Sequence, residues 1–422
     1  MIDFQKKNVV VLGLGISGFY CARLLKNLGA KVFVSDRDDG IGQRKYYKEL
    51  KSLSVDCELG VHTKAFIEQA DYLVVSPGIP LNTEAVFWAK RKNIEIVGEM
   101  EVAYQHCRAE IIAVTGTNGK TTVTTLIGDI LKRAGRRVFI LGNIGEPLSA
   151  RVGDMKEGDL VSLEVSSFQL ETTKEFRPKV SLILNITPDH LDRYRDVEEY
   201  LDAKKRIFLS QKKDDFIILN YQDDYLKDIA NDSQARVVYF NDPKGEIYKN
   251  RFNANELAVI KVAEVFGISF NLCVEAFNDF KGIEHRMEFV RTIRGIDFIN
   301  DSKATNVDAT LWALSNSTKP VILIAGGRDK GSDFNSILDI VNDKVKSAIL
   351  FGEASEKIKH SLSSSIKTSE ARDLGEATEL AFKEAKSGDC VLLSPMCASF
   401  DMFANYKERG ESFKEIVSKL SG

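Results

Sequence analysis

The stretch "EIIAVTGTNGKTTVTTLIGDILKRAG", residues 110–135, runs from an apolar segment through a glycine turn into a helical-period segment. A strand that ends in such a turn and feeds a helix is the building unit of a parallel α/β sheet, with the turn at the strand's carboxyl end. The turn resembles a phosphate loop that has been shortened. The Walker pattern places four residues between its first glycine and Gly-Lys-Ser/Thr, whereas here two residues separate Gly116 from Gly119, Lys120 and Thr121. Backbone N–H groups and the helix dipole at a helix start face an anion together. Lys120 would then reach the outer phosphates, and the Thr121 hydroxyl suits Mg²⁺. The plain alternative is a capped helix start with an exposed lysine.

On either side of this stretch, short Val/Ile/Leu runs alternate with helical-period segments: "NVVVLGLG", "AKVFVSD", "ADYLVVSPG", "DLVSLEVSS", "KVSLILNI", "PVILIAGG" and "DCVLLSP" are examples. Such alternation predicts an α/β chain of mostly parallel sheets covered by helices on both faces. With 422 residues the chain exceeds one core. It divides into segments 1–98, 99–284 and 285–422, each of single-domain length. Composition is that of a globular protein, 44% hydrophobic and 28% charged. A net charge of -3 supplies no basic field for nucleic acid. Six scattered cysteines without a C-x-x-C pair read as reduced thiols of a cytoplasmic protein. No run reaches the length of a membrane span, and no signal-peptide layout is present.

Ligands of open α/β sheets sit beyond the carboxyl ends of strands, so the strand ends near the glycine turn carry weight. Asn143 ends "RRVFILGN", Glu164 stands within "DLVSLEVSS", and His190 follows "KVSLILNI". A carboxylate in a strand fit for burial needs a partner, and a cation is a natural one. His190 alone would read as a structural histidine; beside a phosphate loop and a carboxylate, a metal–nucleotide site is the better explanation. In the first segment, Gly13, Gly15 and Gly18 form G-x-G-x-x-G, and Asp36 ends the next strand, where a ribose-binding acid would lie. This pattern suits NAD or any nucleotide diphosphate. "SPGIP", residues 76–80, reads as a structural turn by itself. In the last segment "FINDSKATN" (298–306), "AGGRDKGSDF" (325–334) and "SPMCASFDMFANYKERG" (394–410) each follow a strand. They bring Asp301, Lys303, Thr305, Lys330 and Ser399 to one sheet edge, which favours a charged small molecule.

"TGTNGKTT" is similar to the ATP loop of the Mur ligase superfamily. "LEVSSFQLE", "NITPDHLDRY", "NDSKATN" and the "SPMCASFDMF" region resemble its D-glutamate-adding members, in the correct order over essentially the whole chain. The resemblance implies a Rossmann-like domain for a UDP-sugar, a central ATPase domain and a Rossmann-like C-terminal domain for the amino acid. It implies ATP and Mg²⁺ as cofactors, with UDP-N-acetylmuramoyl-L-alanine and D-glutamate as substrates joined through an acyl phosphate. A monomer is the expected working unit. By its motifs Gly116, Thr117, Asn118, Gly119, Lys120, Thr121 and Thr122 hold ATP, joined by Asn255, Arg286 and Asp301. Ser17, Asp36, Arg37, Ser76, Pro77, Gly78 and Asn143 face the UDP substrate. Thr305, Lys330, Ser399, Phe400 and Tyr406 line the D-glutamate pocket. Thr121, Glu164 and His190 hold or orient the metal. The family's His-Asn-x-x-Asn is altered: Phe252 stands in the first asparagine's register, with Asn253 beside it, and Asn255 fills the second.

A helix over 198–208, "EEYLDAKKRIF", places Tyr200, Leu201, Ala203, Ile207 and Phe208 on one apolar face. Lys204 falls near its centre and Lys205 at its edge, while Asp202 and Arg206 point away. A core-facing ammonium is costly unless paired or chemically altered; snorkelling to solvent is the ordinary resolution. The A-K-x-R-I pattern resembles the family segment whose lysine is carbamylated and helps position Mg²⁺. Lys204 is therefore the expected carbamylated residue.

Overall fold

The computed structural model describes residues 2–243 and 251–421. The first segment forms strands β1 (Asn8–Leu12), β2 (Lys31–Asp36), β3 (Asp56–Leu59), β4 (Tyr72–Val75) and β5 (Glu95–Gly98). They make one parallel sheet in the order β3-β2-β1-β4-β5. The second supplies β6 (Glu110–Thr115), β7 (Val138–Gly142), β8 (Leu160–Glu164), β9 (Val180–Ile183), β10 (Phe216–Asn220) and β11 (Arg236–Phe240). Their order is β11-β10-β9-β6-β8-β7, again all parallel. The third holds β12 (Glu288–Ile293), β13 (Ile296–Asn300), β14 (Val321–Gly326), β15 (Val345–Phe351), β16 (Lys367–Glu370) and β17 (Cys390–Met396). Its order is β12-β13-β17-β14-β15-β16, parallel apart from the β12–β13 pair.

The apolar runs become strands because helices cover both faces and leave no solvent side. Val9 to Leu12 on β1 and Ile112 to Val114 on β6 are fully buried. Ile112 and Val114 pack with Val123, Leu126, Ile127 and Ile130 of the helix Lys120–Arg133, and with Leu257, Val259 and Ile260 of Ala254–Val265. In the first sheet the third fingerprint glycine is required for helix–strand packing. A Cβ on Gly18 would stand 1.9 Å from the Gly13 carbonyl oxygen.

The chain separates into two compact units, Met1–Ile186 with Glu198–Phe280, and Thr187–Val197 with Lys281–Gly422. The first two sheets share the first unit. The short helix Glu99–Gln105 joins them; it is buried from Glu99 to Ala103, and Glu101 accepts the N–H groups of Lys174 (2.9 Å) and Glu175 (3.0 Å). Residues 187–197, expected with the central segment, group instead with the third sheet.

Candidate active site

In the second sheet β9, β6, β8 and β7 are adjacent and parallel, so the turns that follow them leave one edge. After β6, Gly119 caps the helix Lys120–Arg133 at φ 85°, and a Cβ there would meet Asn255 Oδ1 at 2.5 Å. Asn185, just past β9, clamps the turn. Its Oδ1 accepts Asn118 N–H (2.8 Å), its Nδ2 donates to Asn118 O (3.0 Å), and its carbonyl accepts Thr117 N–H (2.9 Å). Lys120 Nζ curls over the loop and donates to the carbonyls of Gly116 (2.9 Å) and Thr117 (2.8 Å). Thr121 is buried in the first helical turn and Thr122 is half-buried.

Glu164 ends β8 with 2% exposure. Its Oε1 accepts from Asn143 Nδ2 (2.9 Å), and its buried Oε2 has no hydrogen-bond partner among the described residues. A bare, buried carboxylate oxygen next to a phosphate loop is the donor that a hard divalent cation takes. Thr121 and Glu164 thus fit Mg²⁺.

Lys204 is 1% exposed. Its ammonium donates to Gly116 O (3.0 Å) and Thr115 Oγ1 (3.3 Å) and lies 4.5 Å from the Tyr200 ring centroid. The snorkelling alternative is ruled out, and hydrogen bonds with a cation–π contact offset the burial of the charge. Lys205 is half-exposed and pairs with Asp232 (2.6 Å) and Asp202 (3.6 Å). The helix is shorter than expected, Val197–Lys205, with turns following. Arg206 therefore leaves the helical register. It does not point away: its guanidinium donates to the carbonyls of Leu170 (2.8 Å) and Thr173.

The altered asparagine motif is also resolved locally. Asn253 and Glu256 form a capping box at the start of Ala254–Val265, while Phe252 joins an aromatic cluster with Phe270 and Phe277. Asn253 is thus occupied as a helix cap, and Asn255 is the asparagine that faces the glycine turn.

In the second unit the three polar loops follow β13, β17 and β14, which are neighbours. Arg328 and Ala398 exchange backbone hydrogen bonds of 2.8 and 3.0 Å, tying two of the loops together. Lys330 Nζ lies 2.6 Å from Asp189 Oδ1, and Asn306 Nδ2 donates to Asp189 Oδ2 at 3.0 Å. Burial raises the Asp189 pKa, but Lys330 and neighbouring His190 pull it well below the ordinary range. His190 has φ 58°, and its Nε2 is 3.8 Å from Asp189 Oδ2. Asp301 is buried and accepts from Ser394 Oγ (2.8 Å) and Met287 N–H (3.2 Å). Burial pushes its pKa up to about 7, against the pull of Arg286. The Arg286 guanidinium lies over Trp312, 5.8 Å from the ring centroid. Lys303 Nζ donates to Tyr406 Oη at 3.1 Å. Fully buried Arg409 donates to Ser302 O (2.8 Å) and Cys397 O (3.2 Å), bracing the loops. Thr305 is half-buried, Ser399 buried and Phe400 63% exposed. Asn185 and Asp189, neither of them a candidate from the sequence, both stand in "NITPDH".

In the first sheet the turns after β1 and β4 meet where the strand order reverses, the crevice in which open sheets bind ligands. Ser76 Oγ donates to Gly13 O at 3.1 Å, so "SPGIP" supports the glycine turn. Asp36 accepts Leu14 N–H (2.5 Å) and Asp38 N–H (2.8 Å). Ser17 and Pro77 are half-buried, and Arg37, Gly78 and Asn143 are exposed.

Two parallel sheets with glycine turns at their loop edges, and a third edged by polar loops, define a nucleotide-binding α/β protein. Three family profiles match it: Mur ligase MurD-like N-terminal domain over residues 7–98, Mur ligase middle domain over 114–275, and Mur ligase glutamate ligase domain over 285–397. The chain belongs to the Mur ligase family. It is 42% identical to a UDP-N-acetylmuramoylalanine–D-glutamate ligase of Thermoanaerobacter pseudethanolicus, over 99% of this chain and 100% of that one. It is 38% identical to the Clostridioides difficile protein of the same name, with the same coverage. Among solved structures, a UDP-N-acetylmuramate-alanine ligase from Thermotoga maritima shares the fold (TM-score 0.61, 17% identity, 98% of this chain and 99% of that one). So does a MurF ligase from Thermotoga maritima in complex with ADP (TM-score 0.62, 15% identity, 99% and 100%). No helix among the described residues is long and apolar enough to cross a membrane.

Proposed function

We propose that this chain is an ATP-dependent ligase that joins D-glutamate to UDP-N-acetylmuramoyl-L-alanine in peptidoglycan precursor synthesis. The observation that carries the reading is full-length identity of 42% to a ligase of that name, in a chain whose phosphate loop and buried carboxylate share one sheet edge. A carboxylate does not condense with an amine in water, so the acid must be activated first. The terminal carboxylate of the UDP substrate attacks the γ-phosphorus of ATP and expels ADP, giving an acyl phosphate. Backbone N–H groups from Gly119 to Thr122, at the start of the helix Lys120–Arg133, cradle the phosphates, and Lys120 transfers from the loop's own carbonyls to the phosphoryl oxygens, where charge develops. Thr121, Glu164, His190 and carbamylated Lys204 would hold Mg²⁺, which supplies charge neutralisation on the transferring group. Carbamylation joins the neutral Lys204 amine to CO₂, with loss of a proton, and turns an ammonium beside the loop into an anion.

Asn255, Arg286 and Asp301 are assigned to the nucleotide. Ser17, Asp36, Arg37, Ser76, Pro77, Gly78 and Asn143 are assigned to the UDP substrate, and Thr305, Lys330, Ser399, Phe400 and Tyr406 to D-glutamate. The amine of D-glutamate attacks the acyl carbon and gives up a proton; the tetrahedral intermediate then expels phosphate. Domains 1–98, 99–284 and 285–422 divide these tasks, with residues 187–197 contributed to the third. The working unit is taken as a monomer in the cytoplasm, in keeping with six free cysteines. The test follows phosphate release with ATP, Mg²⁺ and UDP-N-acetylmuramoyl-L-alanine across a panel of amino acids. D-Glutamate should be the best acceptor, whereas preference for L-alanine or a dipeptide would move the chain elsewhere in the family. Calorimetry should detect no competition between NAD and the UDP-sugar.

A further inference from the structure

Past β3 the first sheet carries a turn, residues 60–63, that lies against the loop following β2: a Cβ on Gly60 would stand 3.9 Å from the Asp39 Cβ. His62 in this turn is half-buried. Its Nδ1 is 2.7 Å from the Oγ of Ser35, a fully buried residue of β2, and that Oγ is 2.8 Å from Glu58 Oε1. Glu58 also accepts Thr63 N–H (2.9 Å) and the Thr63 hydroxyl (2.5 Å). Every contact to Glu58 thus comes from a donor. Ser35 has one hydroxyl proton, and it points at Glu58, so its oxygen accepts from Nδ1–H of His62. That bookkeeping fixes the tautomer. Nε2 is left as a bare acceptor, with no hydrogen-bond partner among the described residues.

The strand order locates this acceptor along a bound nucleotide. In doubly wound sheets the glycine turn after the first strand meets the pyrophosphate, and the acid ending the second marks the ribose. In the order β3-β2-β1, His62 stands one strand beyond Asp36, about 4.8 Å further from the pyrophosphate, where a base lies. Uracil offers a single ring donor, N3–H, which needs an acceptor. We propose that His62 is a specificity-determining residue whose Nε2 accepts the uracil N3–H of the UDP substrate. This rests on the reading that the first sheet takes the UDP end.

The charged groups facing His62 are Asp36, Arg37 and Glu58; burial leads the balance and lowers its pKa below the ordinary value, so the ring is neutral at neutral pH. Protonation converts Nε2 to a donor facing a donor, and UDP binding should weaken as the solution is acidified.

The test measures inhibition of the full-length enzyme by UDP and by N3-methyl-UDP, with the ¹⁵N signal of His62 Nε2 as a second readout. Wild type should favour UDP by about tenfold, the loss of about 1.4 kcal/mol, and UDP should shift the Nε2 signal. His62→Ala should raise the Michaelis constant for the UDP-sugar by a similar factor, leave those for ATP and D-glutamate unchanged, and bind both nucleotides alike. His62→Gln, which keeps polar capacity, should fall between. If UDP inhibits wild type but N3-methylation makes no difference, or Nε2 does not shift, the proposal is overturned while the UDP reading stands. If UDP does not inhibit at all, the reading beneath it fails.

Discussion

Lys204 and Lys205 are sequence neighbours with opposite surroundings. The first is buried against Gly116 O and the Tyr200 ring, and the second is tied to Asp232 near the surface. Because the Lys204 ammonium is already paired, burial alone does not demand carbamylation; its place beside the phosphate loop is what favours it. Lys204→Ala should lower turnover by about 10² or more and be partly rescued by short-chain carboxylates, while Lys205→Ala stays active. Full activity of Lys204→Ala in CO₂-depleted buffer contradicts the assignment. Lys330 poses a different question, because Asp189 already holds it at 2.6 Å. If the lysine is drawn from Asp189 to a substrate carboxylate, Lys330→Ala raises the Michaelis constant for D-glutamate far more than that for ATP. An equal loss for both, with a lowered melting temperature, assigns it to bracing Asp189, whose buried charge would be left unpaired.

Among the elements, the Asn185 clamp and the Lys120 ammonium both hold the glycine turn assigned to phosphate in shape. Asn185→Ala removes two side-chain hydrogen bonds to Asn118, costing about 1–3 kcal/mol of loop order. The expected reading is a rise of about tenfold or more in the Michaelis constant for ATP with that for D-glutamate unchanged; unaltered ATP kinetics would show that the loop holds itself. The parallel strands were legible in the sequence because burial on both faces forces continuous Val/Ile/Leu runs, and the glycine turns because their backbones need glycine. The partners were not legible. Asn185 meets Asn118 across 67 residues and Lys330 meets Asp189 across 141, separations that no local pattern encodes. Arg206 departs from the expected helical face for a local reason: the helix ends at Lys205. Strand orders such as β11-β10-β9-β6-β8-β7 follow from crossovers, which periodicity does not record.

At the scale of the whole molecule, Glu99 sets a pH dependence of stability. It lies in the helix joining the first two sheets, with Oε2 buried and unpartnered and Oε1 3.4 Å from Ser149 N. Burial raises its pKa from 4.5 to about 7. The folded state therefore binds the proton more tightly than the unfolded one. This stabilisation is fully present below about pH 4.5 and is lost as the pH rises through 7, a change of about 3 kcal/mol. The melting temperature should fall between pH 5 and 8, and Glu99→Gln should flatten much of that fall, with Asp301 leaving a residual slope. An unchanged slope in the variant would mean that Glu99 ionises without cost. The catalytic account turns on one covalent event, transfer of a carboxylate oxygen to phosphorus. With UDP-N-acetylmuramoyl-L-alanine carrying ¹⁸O in both terminal carboxylate positions, plus ATP, Mg²⁺ and D-glutamate, the released phosphate is analysed by mass. One ¹⁸O per phosphate is the predicted result. Unlabelled phosphate, or label found in AMP, would contradict activation through an acyl phosphate.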